Sequence, residues 1–377
     1  MTDATLLCGG RVVTPDRVIE DGWLRMAGDR ITGVGPGPPP DAPGRTVDVE
    51  GRVVMPGLVD LHGDDIEGQL RPRAEARVDP ASALVAADRV NVLAGVTTKF
   101  HAIAFEEDAD GLRDPSTAAG ICREIAAAEG TMGDNRVHAR CELTPAAVAA
   151  VESLAADVPV EVVSAMRHVP GGGQFDEGQF REHYASNRDC PTSTVERLAT
   201  ERAATPATAV QRCLERVAGL AAREGIPLAS HDDETPAGVD RMAATGVEIS
   251  EYPVTMAAAR RATERGLTTA MGAPNLVRGG SLWGNLSVRS AVDAGVVDVL
   301  CSDYHPPSLL AAAFVDTGEG LAERVRRVTA APADAAGLAD RGRLRAGARA
   351  DVLVVEPGRV PTVEAVFVGG EQPLCVD

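Results

Sequence analysis

The sequence has a single lysine, Lys99, against 36 arginines in 377 residues. Its seven cysteines, Cys8, Cys122, Cys141, Cys190, Cys213, Cys301 and Cys375, include no Cys-x-x-Cys pair. An odd, scattered set argues against a zinc knuckle or a disulfide framework and fits a reducing, cytoplasmic setting. No run approaches the roughly 18 apolar residues of a membrane span. The N-terminal stretch MTDATLLCGGRVV shows neither the basic n-region nor the apolar h-region of a secretory signal. No GxGxxG or GxxxxGK[ST] phosphate loop is present, so neither a dinucleotide fingerprint nor a P-loop is expected. Net positive charge is also missing: the formal charge is −18. A broad nucleic-acid surface needs a basic face, so neither nucleic acid nor membrane is expected as a partner. A polyanionic small substrate stays open if arginines or metal ions meet it locally.

What is present is a large apolar fraction, 44%, with 24% charged residues. That suits a soluble globular chain, and the length suits a (β/α)₈ barrel plus a minor domain. Both ends read as short strands. Thr5 to Val13 reads as a strand, a Gly9-Gly10 turn and a second strand; Asp21–Met26 and Arg30–Val34 repeat the pattern. Gly35 to Pro40 can form neither helix nor ladder. Ala350–Val355 and Val363–Gly370 are strands again. One small β-sandwich domain built from both termini, residues 1–52 plus 345–377, is the economical reading. Between them, apolar strands near 53–62, 96–104, 136–143, 159–168, 226–231, 247–253, 267–273 and 296–303 alternate with alanine-rich helices such as Pro80–Leu93 and Ala209–Glu224. Eight alternations predict an α/β fold, a TIM-like (β/α)₈ barrel over 53–344. An open doubly wound sheet is the alternative. Polar residues at the ends of most strands, rather than at one crevice, favour the barrel.

Of seven histidines, His62, His101, His138, His168, His231 and His305 lie in or just after these strands, and only His183 does not. Barrel strand ends converge on one mouth. His62 and Asp64 are two apart after an apolar strand, so period-two geometry points both one way. An imidazole and a carboxylate on one face suit a divalent metal, zinc or manganese, although His-x-Asp also recurs by chance. His138, Arg140 and Glu142 share parity on the third strand. Glu142 can bridge two metal ions or form a salt bridge with a barrel arginine. His168 ends the fourth strand and His231 the fifth; each alone reads equally as a core histidine. Asp303 ends the eighth strand and can take a proton from an attacking water, or cap the next helix. Lys99 stands out because composition drives other basic positions to arginine. Its ammonium can hold a phosphate oxygen, or as a carbamate it can ligate a metal; chance survival explains it equally well.

These residues carry a resemblance. The chain resembles the amidohydrolase superfamily, above all its phosphonate-metabolism diphosphatases, in Met55-Pro56-Gly57-Leu58-Val59-Asp60-Leu61-His62, in Ser230–Thr235, in Met271–Ser281 with Ser302-Asp303-Tyr304, and in the tail Asp340–Asp351. The resemblance implies the amidohydrolase fold, one or two divalent ions, and cleavage of a ribose 5-triphosphate phosphoanhydride with release of pyrophosphate. It supports His62, Asp64, Glu142, His168 and His231 as metal ligands and Asp303 as acid/base. It also makes Asn275, Arg278, Gly279 and Gly280 phosphate contacts, with Gly279 and Gly280 donating backbone N–H groups. Arg71 and Arg73 are candidates for bidentate contacts. The chain departs from the family pattern at Lys99-Phe100-His101-Ala102, at Met166-Arg167 and at Leu282-Trp283-Gly284-Asn285. These departures keep a second hydrolase reading open, attack on an amide carbonyl by the same centre. A scaffold or binding subunit without activity is the third reading. Oligomeric state, a homo-oligomer included, is left open.

Overall fold

In the computed structural model, residues 4–39, 44–73, 75–107, 111–187 and 191–373 are described. Pro40, Cys190 and Cys375, named above, lie outside them. In chain order the strands are β1 (Ala4–Val13), β2 (Val18–Ala27), β3 (Arg30–Pro36), β4 (Arg45–Asp48), β5 (Val53–Pro56), β6 (Leu58–Gly63), β7 (Val96–Phe105) and β8 (Asp134–Glu142). They continue as β9 (Val162–Met166), β10 (Leu228–His231), β11 (Ile249–Glu251), β12 (Thr268–Gly272), β13 (Val299–Cys301), β14 (Val352–Glu356) and β15 (Thr362–Phe367). The strands β6 to β13 form one parallel eight-stranded sheet in sequential order. Its ends meet through a bridge between Gly63 and Asp303, with Asp303 N donating to His62 O at 3.1 Å and Asp64 N to Asp303 O at 3.0 Å. This is the parallel barrel expected from the alternation. Val59, Leu61, Phe100, Val162, Ala229, Ile249, Ala270 and Val299 pack its interior, and a larger cluster fills the space between strands and helices.

The termini build a separate seven-stranded mixed sheet, ordered β15-β14-β5-β1-β2-β3 with β4 on β1. Three local readings change. β3 runs on through Gly35 and Pro36, which pair with Trp23 and Gly22, so the loop expected from Gly35 begins only after Pro36. The expected strand over 53–62 is two strands, because Val53–Pro56 pairs with β1 and β14 in the terminal sheet and only Leu58–Gly63 enters the barrel. Gly57 marks the handover: its N–H donates to Asp351 O at 2.9 Å, and a Cβ there would run into the Thr97 side chain. Gly9-Gly10 is no turn. β1 continues through it, and the register against β2 shifts on both sides of Gly10, the mark of a bulge with glycine in the left-handed region; Gly9 has φ 73°.

The helices start where capping chemistry allows. Over Pro80–Leu93, Asp79 accepts from Ser82 N at 3.1 Å and proline takes a first-turn position, where its missing N–H costs nothing. The helix Ala207–Glu224 stops at Gly225, φ 66°. Among the described residues no helix is long and apolar enough to cross a membrane.

Candidate active site

All eight barrel strands run the same way, so their C-terminal ends open on one face. A cavity of about 720 Å³ lies there, and His62, Asp64, Arg140, His168, His231, Tyr252 and Asp303 are among its lining residues. Four histidines form a chain across its floor. Ring centroids are 5.0 Å apart for His138–His62, 5.7 Å for His62–His231 and 5.7 Å for His231–His168. Of the other three, His101 is buried against Asn135 Oδ1 at 2.8 Å and His305 is exposed against Ser308 Oγ at 2.7 Å. His183, which no strand carries, does line the cavity, from the segment after β9.

Each floor histidine has a carboxylate. His62 Nδ1 lies 3.1 Å from Glu251 Oε1. Ser164 Oγ donates to Glu251 Oε2 at 2.6 Å and lies 2.5 Å from His138 Nε2. Glu142 accepts from His168 N at 2.9 Å and lies 3.1 Å from His168 Nδ1. Asp232 Oδ2 sits 3.1 Å from His231 Nδ1 and 3.7 Å from His168 Nε2. Burial pushes His62 well below its ordinary pKa, helped by Arg140, and takes His138 down to about 4. Both imidazoles are therefore neutral at pH 7, the form a metal requires. Burial also raises Asp303, with the Asp64 charge adding to it, to about 7.

These donors fit a divalent cation. Among the described residues there are three groups, His62–His138–Glu251, His168–His231–Asp232 and Glu106–Glu142–His168, the last two sharing His168, and within each the ligand atoms lie within 4.8 Å of one another. Neutral imidazoles with carboxylates are the donor chemistry of zinc and manganese. The lifted Asp303 pKa is that of a carboxyl taken out of water, with the Asp64 charge beside it, a burden that a cation would relieve.

The structure redistributes several of the expected roles. Asp64 lines the cavity, but its Oδ2 faces Arg140 Nη1 at 3.3 Å and Arg113 Nη2 at 3.6 Å, and it belongs to none of the three groups. The strand ends at Gly63, so period-two geometry stops before Asp64. Arg140 accordingly pairs with Asp64 rather than with Glu142. Lys99 is not in the cavity lining. Its ammonium is buried beneath the floor, 2.6 Å from Asp60 Oδ2, 2.6 Å from Asp65 Oδ1 and 3.0 Å from Ser302 Oγ. A substrate oxygen cannot reach it there, and a carbamate would add a third negative charge to two carboxylates. Gly63 explains why the position is lysine: a Cβ at Gly63 would collide with Lys99 Nζ and stand 2.6 Å from Ser302 Oγ. The absent Cβ leaves the ammonium its place between Asp60 and Ser302.

Arg71, Arg73, Asn275 and Arg278 line the cavity. The Asn275 amide is spent on its own loop, Nδ2 on Leu286 O at 3.2 Å and Oδ1 on Val288 N at 3.1 Å. Gly279 and Gly280 do not line the cavity, and both their N–H groups donate to Asn275 O at 3.0 Å. They close the short helix Ala273–Arg278 and offer an anion nothing. Arg278 donates to Tyr304 Oη at 2.9 Å and Gly280 O at 2.8 Å.

Glu251, Asp232, Tyr252 and Arg113 were missed. Glu251 carries the same signal as Glu142, a carboxylate at a barrel strand end, but its strand has only three residues. Arg113 and Arg202 converge on Glu106, at 2.9 and 2.8 Å, and Tyr184 Oη donates to it at 2.9 Å. That cluster joins sites 96 residues apart, and no local pattern announces it.

No family model matches the chain. The chain is 35% identical over 318 residues to the alpha-D-ribose 1-methylphosphonate 5-triphosphate diphosphatase of Escherichia coli (strain K12), covering 82% of this chain and 84% of that protein. Its fold is similar to N-isopropylammelide isopropylaminohydrolase from Burkholderia multivorans, with TM-score 0.64, 18% identity and 98% of both chains covered. It is similar also to a solved amidohydrolase, with TM-score 0.63, 16% identity and 98% of both chains covered. A parallel barrel with histidines and carboxylates at its strand ends, joined to a sheet from both termini, has the fold of the solved amidohydrolase and comes with a relative matched along most of its length: the chain belongs to the family of the alpha-D-ribose 1-methylphosphonate 5-triphosphate diphosphatases.

Proposed function

We propose that this chain is a metal-dependent diphosphatase that hydrolyses the 5-triphosphate of alpha-D-ribose 1-methylphosphonate 5-triphosphate, releasing pyrophosphate, in phosphonate catabolism in the cytoplasm. The observation that carries the reading is one cavity holding a histidine–carboxylate floor and five arginines, Arg71, Arg73, Arg113, Arg140 and Arg278, in a chain of net charge −18. An acidic protein that gathers arginines at one mouth is equipped for a polyanion. The Escherichia coli relative acts on a ribose triphosphate by name.

The floor residues His62, His168 and His231, with Glu142, Asp232 and Glu251 beside them, would hold the metal, which we assign as zinc, manganese being the alternative for these donors. When bound, such an ion supplies Lewis acidity and lowers the pKa of water from about 15.7 toward 7. The chain does the rest. Asp303, raised to about 7 by burial and by Asp64, takes the proton of the attacking water near neutral pH. The mouth arginines, Arg71, Arg73 and Arg278, bind the terminal phosphates and hold the leaving pyrophosphate. The test is a screen of the metal-loaded protein against ribose 5-triphosphates with pyrophosphate detection. Release of ammonia or a carboxylate from an amide panel, with no pyrophosphate from any triphosphate, would overturn the reading in favour of C–N hydrolysis.

A further inference from the structure

Among the described residues, two side chains at the cavity floor, Arg140 and Tyr252, each keep a buried donor that neither a hydrogen bond nor an ion pair satisfies, whereas Arg113 Nε and His231 Nδ1 lie beside carboxylates. Arg140 lies on β8 between His138 and Glu142 at the same parity, so its side chain points with theirs into the mouth. It is 5% exposed. Its Nη1 reaches Asp64, but its Nε–H donates to nothing. Tyr252 follows Glu251 at the end of β11 with φ 52°, a left-handed conformation that strains an L-residue because its Cβ crowds the following carbonyl. That backbone sets the ring against His62 at 5.0 Å and His231 at 5.3 Å between centroids. The hydroxyl is buried and unbonded. Tyr252 also neighbours the acid/base: a Cβ at Gly272 would stand 3.4 Å from Tyr252 Cε1 and 3.7 Å from Asp303 Oδ2.

A buried donor left without an acceptor is costly, because it has given up water and gained nothing in return. Two such donors, one on a strained backbone, facing the same histidines mark a place where acceptors arrive with the substrate. We infer that Tyr252 Oη and the Arg140 guanidinium are catalytic donors to the non-bridging oxygens of the phosphorus under attack. This rests on the phosphoanhydride reading above. In the step they serve, the water oxygen forms a bond to phosphorus and Asp303 receives its proton. The phosphorus–bridging-oxygen bond breaks, and pyrophosphate leaves with the electron pair. Tyr252 transfers no proton. Donors already in place where charge spreads over phosphate oxygens need no reorganisation in the transition state.

Tyr252→Phe removes one oxygen and keeps the ring on His62 and His231. In pyrophosphate release by the metal-loaded protein we expect kcat to fall about 100- to 1000-fold, the usual effect of deleting one such donor. KM should change less than about threefold, since the loss is confined to the transition state. Inhibition by orthovanadate, which mimics five-coordinate phosphorus, should weaken with kcat. Metal content, read by elemental analysis, should be unchanged. Arg140→Lys should raise KM as well as lower kcat, because its charge also meets the ground state. Unimpaired kcat and vanadate inhibition in Tyr252→Phe overturn this inference alone. Metal loss in step with activity overturns it too, by placing the tyrosine's role in holding His62. A parent protein that releases no pyrophosphate overturns the phosphoanhydride reading, and this inference with it.

Discussion

Replacing Lys99 by methionine tests how the floor of the site is held together. Methionine keeps most of the side-chain volume and deletes the ammonium. Three groups then lose their donor: Asp60 Oδ2 and Asp65 Oδ1, each at 2.6 Å, and Ser302 Oγ at 3.0 Å. Asp60 is fully buried, and its Oδ1 also accepts from Ser302 N at 2.9 Å. Removing one partner of a buried ion pair leaves an uncompensated charge and costs about 3–5 kcal/mol. At about 2.1 cal/mol/K per residue over 377 residues, the unfolding entropy is about 0.8 kcal/mol/K, so the midpoint should fall by about 4–6 °C. The assay is calorimetry of parent and variant at one scan rate. The pH dependence adds a check. Asp60 and Asp65 raise the Lys99 pKa against the opposing pull of burial, which is the largest single influence. A lysine raised on folding contributes fully below its unfolded pKa, about 10.4, and loses the contribution only as pH climbs through its higher folded value. The deficit should therefore be the same at pH 6 and pH 9. A midpoint within about 1 °C of the parent would refute the assignment of Lys99 as the cation of the floor. Recovery of parent stability in Lys99→Arg would instead refute the argument that the space beneath Gly63 suits an ammonium alone.

Asp303→Asn should keep its metal and lower turnover about 100- to 10,000-fold, the range for a lost general base; near-parental turnover would remove Asp303 from that role. Because a cation favours the deprotonated carboxyl, and burial with Asp64 holds that carboxyl near 7, metal affinity measured by competition with a chelator should fall as pH drops below about 7, and Asp303→Asn should flatten that part of the dependence. Glu251→Gln weakens the partner of His62 at 3.1 Å; second-layer changes of this kind cost about 10- to 100-fold in metal affinity, and unchanged retention on dialysis would exclude Glu251 from the centre. Gly63→Ala should destabilise the protein about as much as Lys99→Met, since its Cβ would occupy the ammonium's space and stand 2.8 Å from Asp60 Oδ2; a midpoint equal to the parent's would show that the floor can yield.

The sequence by itself determined the alternation of eight strands with helices and the strand-ended histidines, because apolar periodicity and parallel strand direction are local properties that the barrel only repeats. His62, His168, His231, Glu142 and Asp303 were legible for that reason: each sits at or just past the end of an apolar strand. The same reasoning also reached Asp64, one residue beyond the strand and facing Arg140, and Gly279-Gly280, where a sequence cannot tell a glycine pair that frees backbone for an anion from one that closes a helix. Partnership, by contrast, was set in three dimensions. Lys99 meets Asp60 on the neighbouring strand and Ser302 across the barrel closure. Glu251 reaches His62 across 189 residues. The unbonded Tyr252 hydroxyl and Arg140 Nε are defined by what is not beside them. A sequence records which side chains can donate, accept or carry charge. Which of these groups is satisfied and which is left waiting depends on distances between remote segments, and those exist only once the barrel has closed.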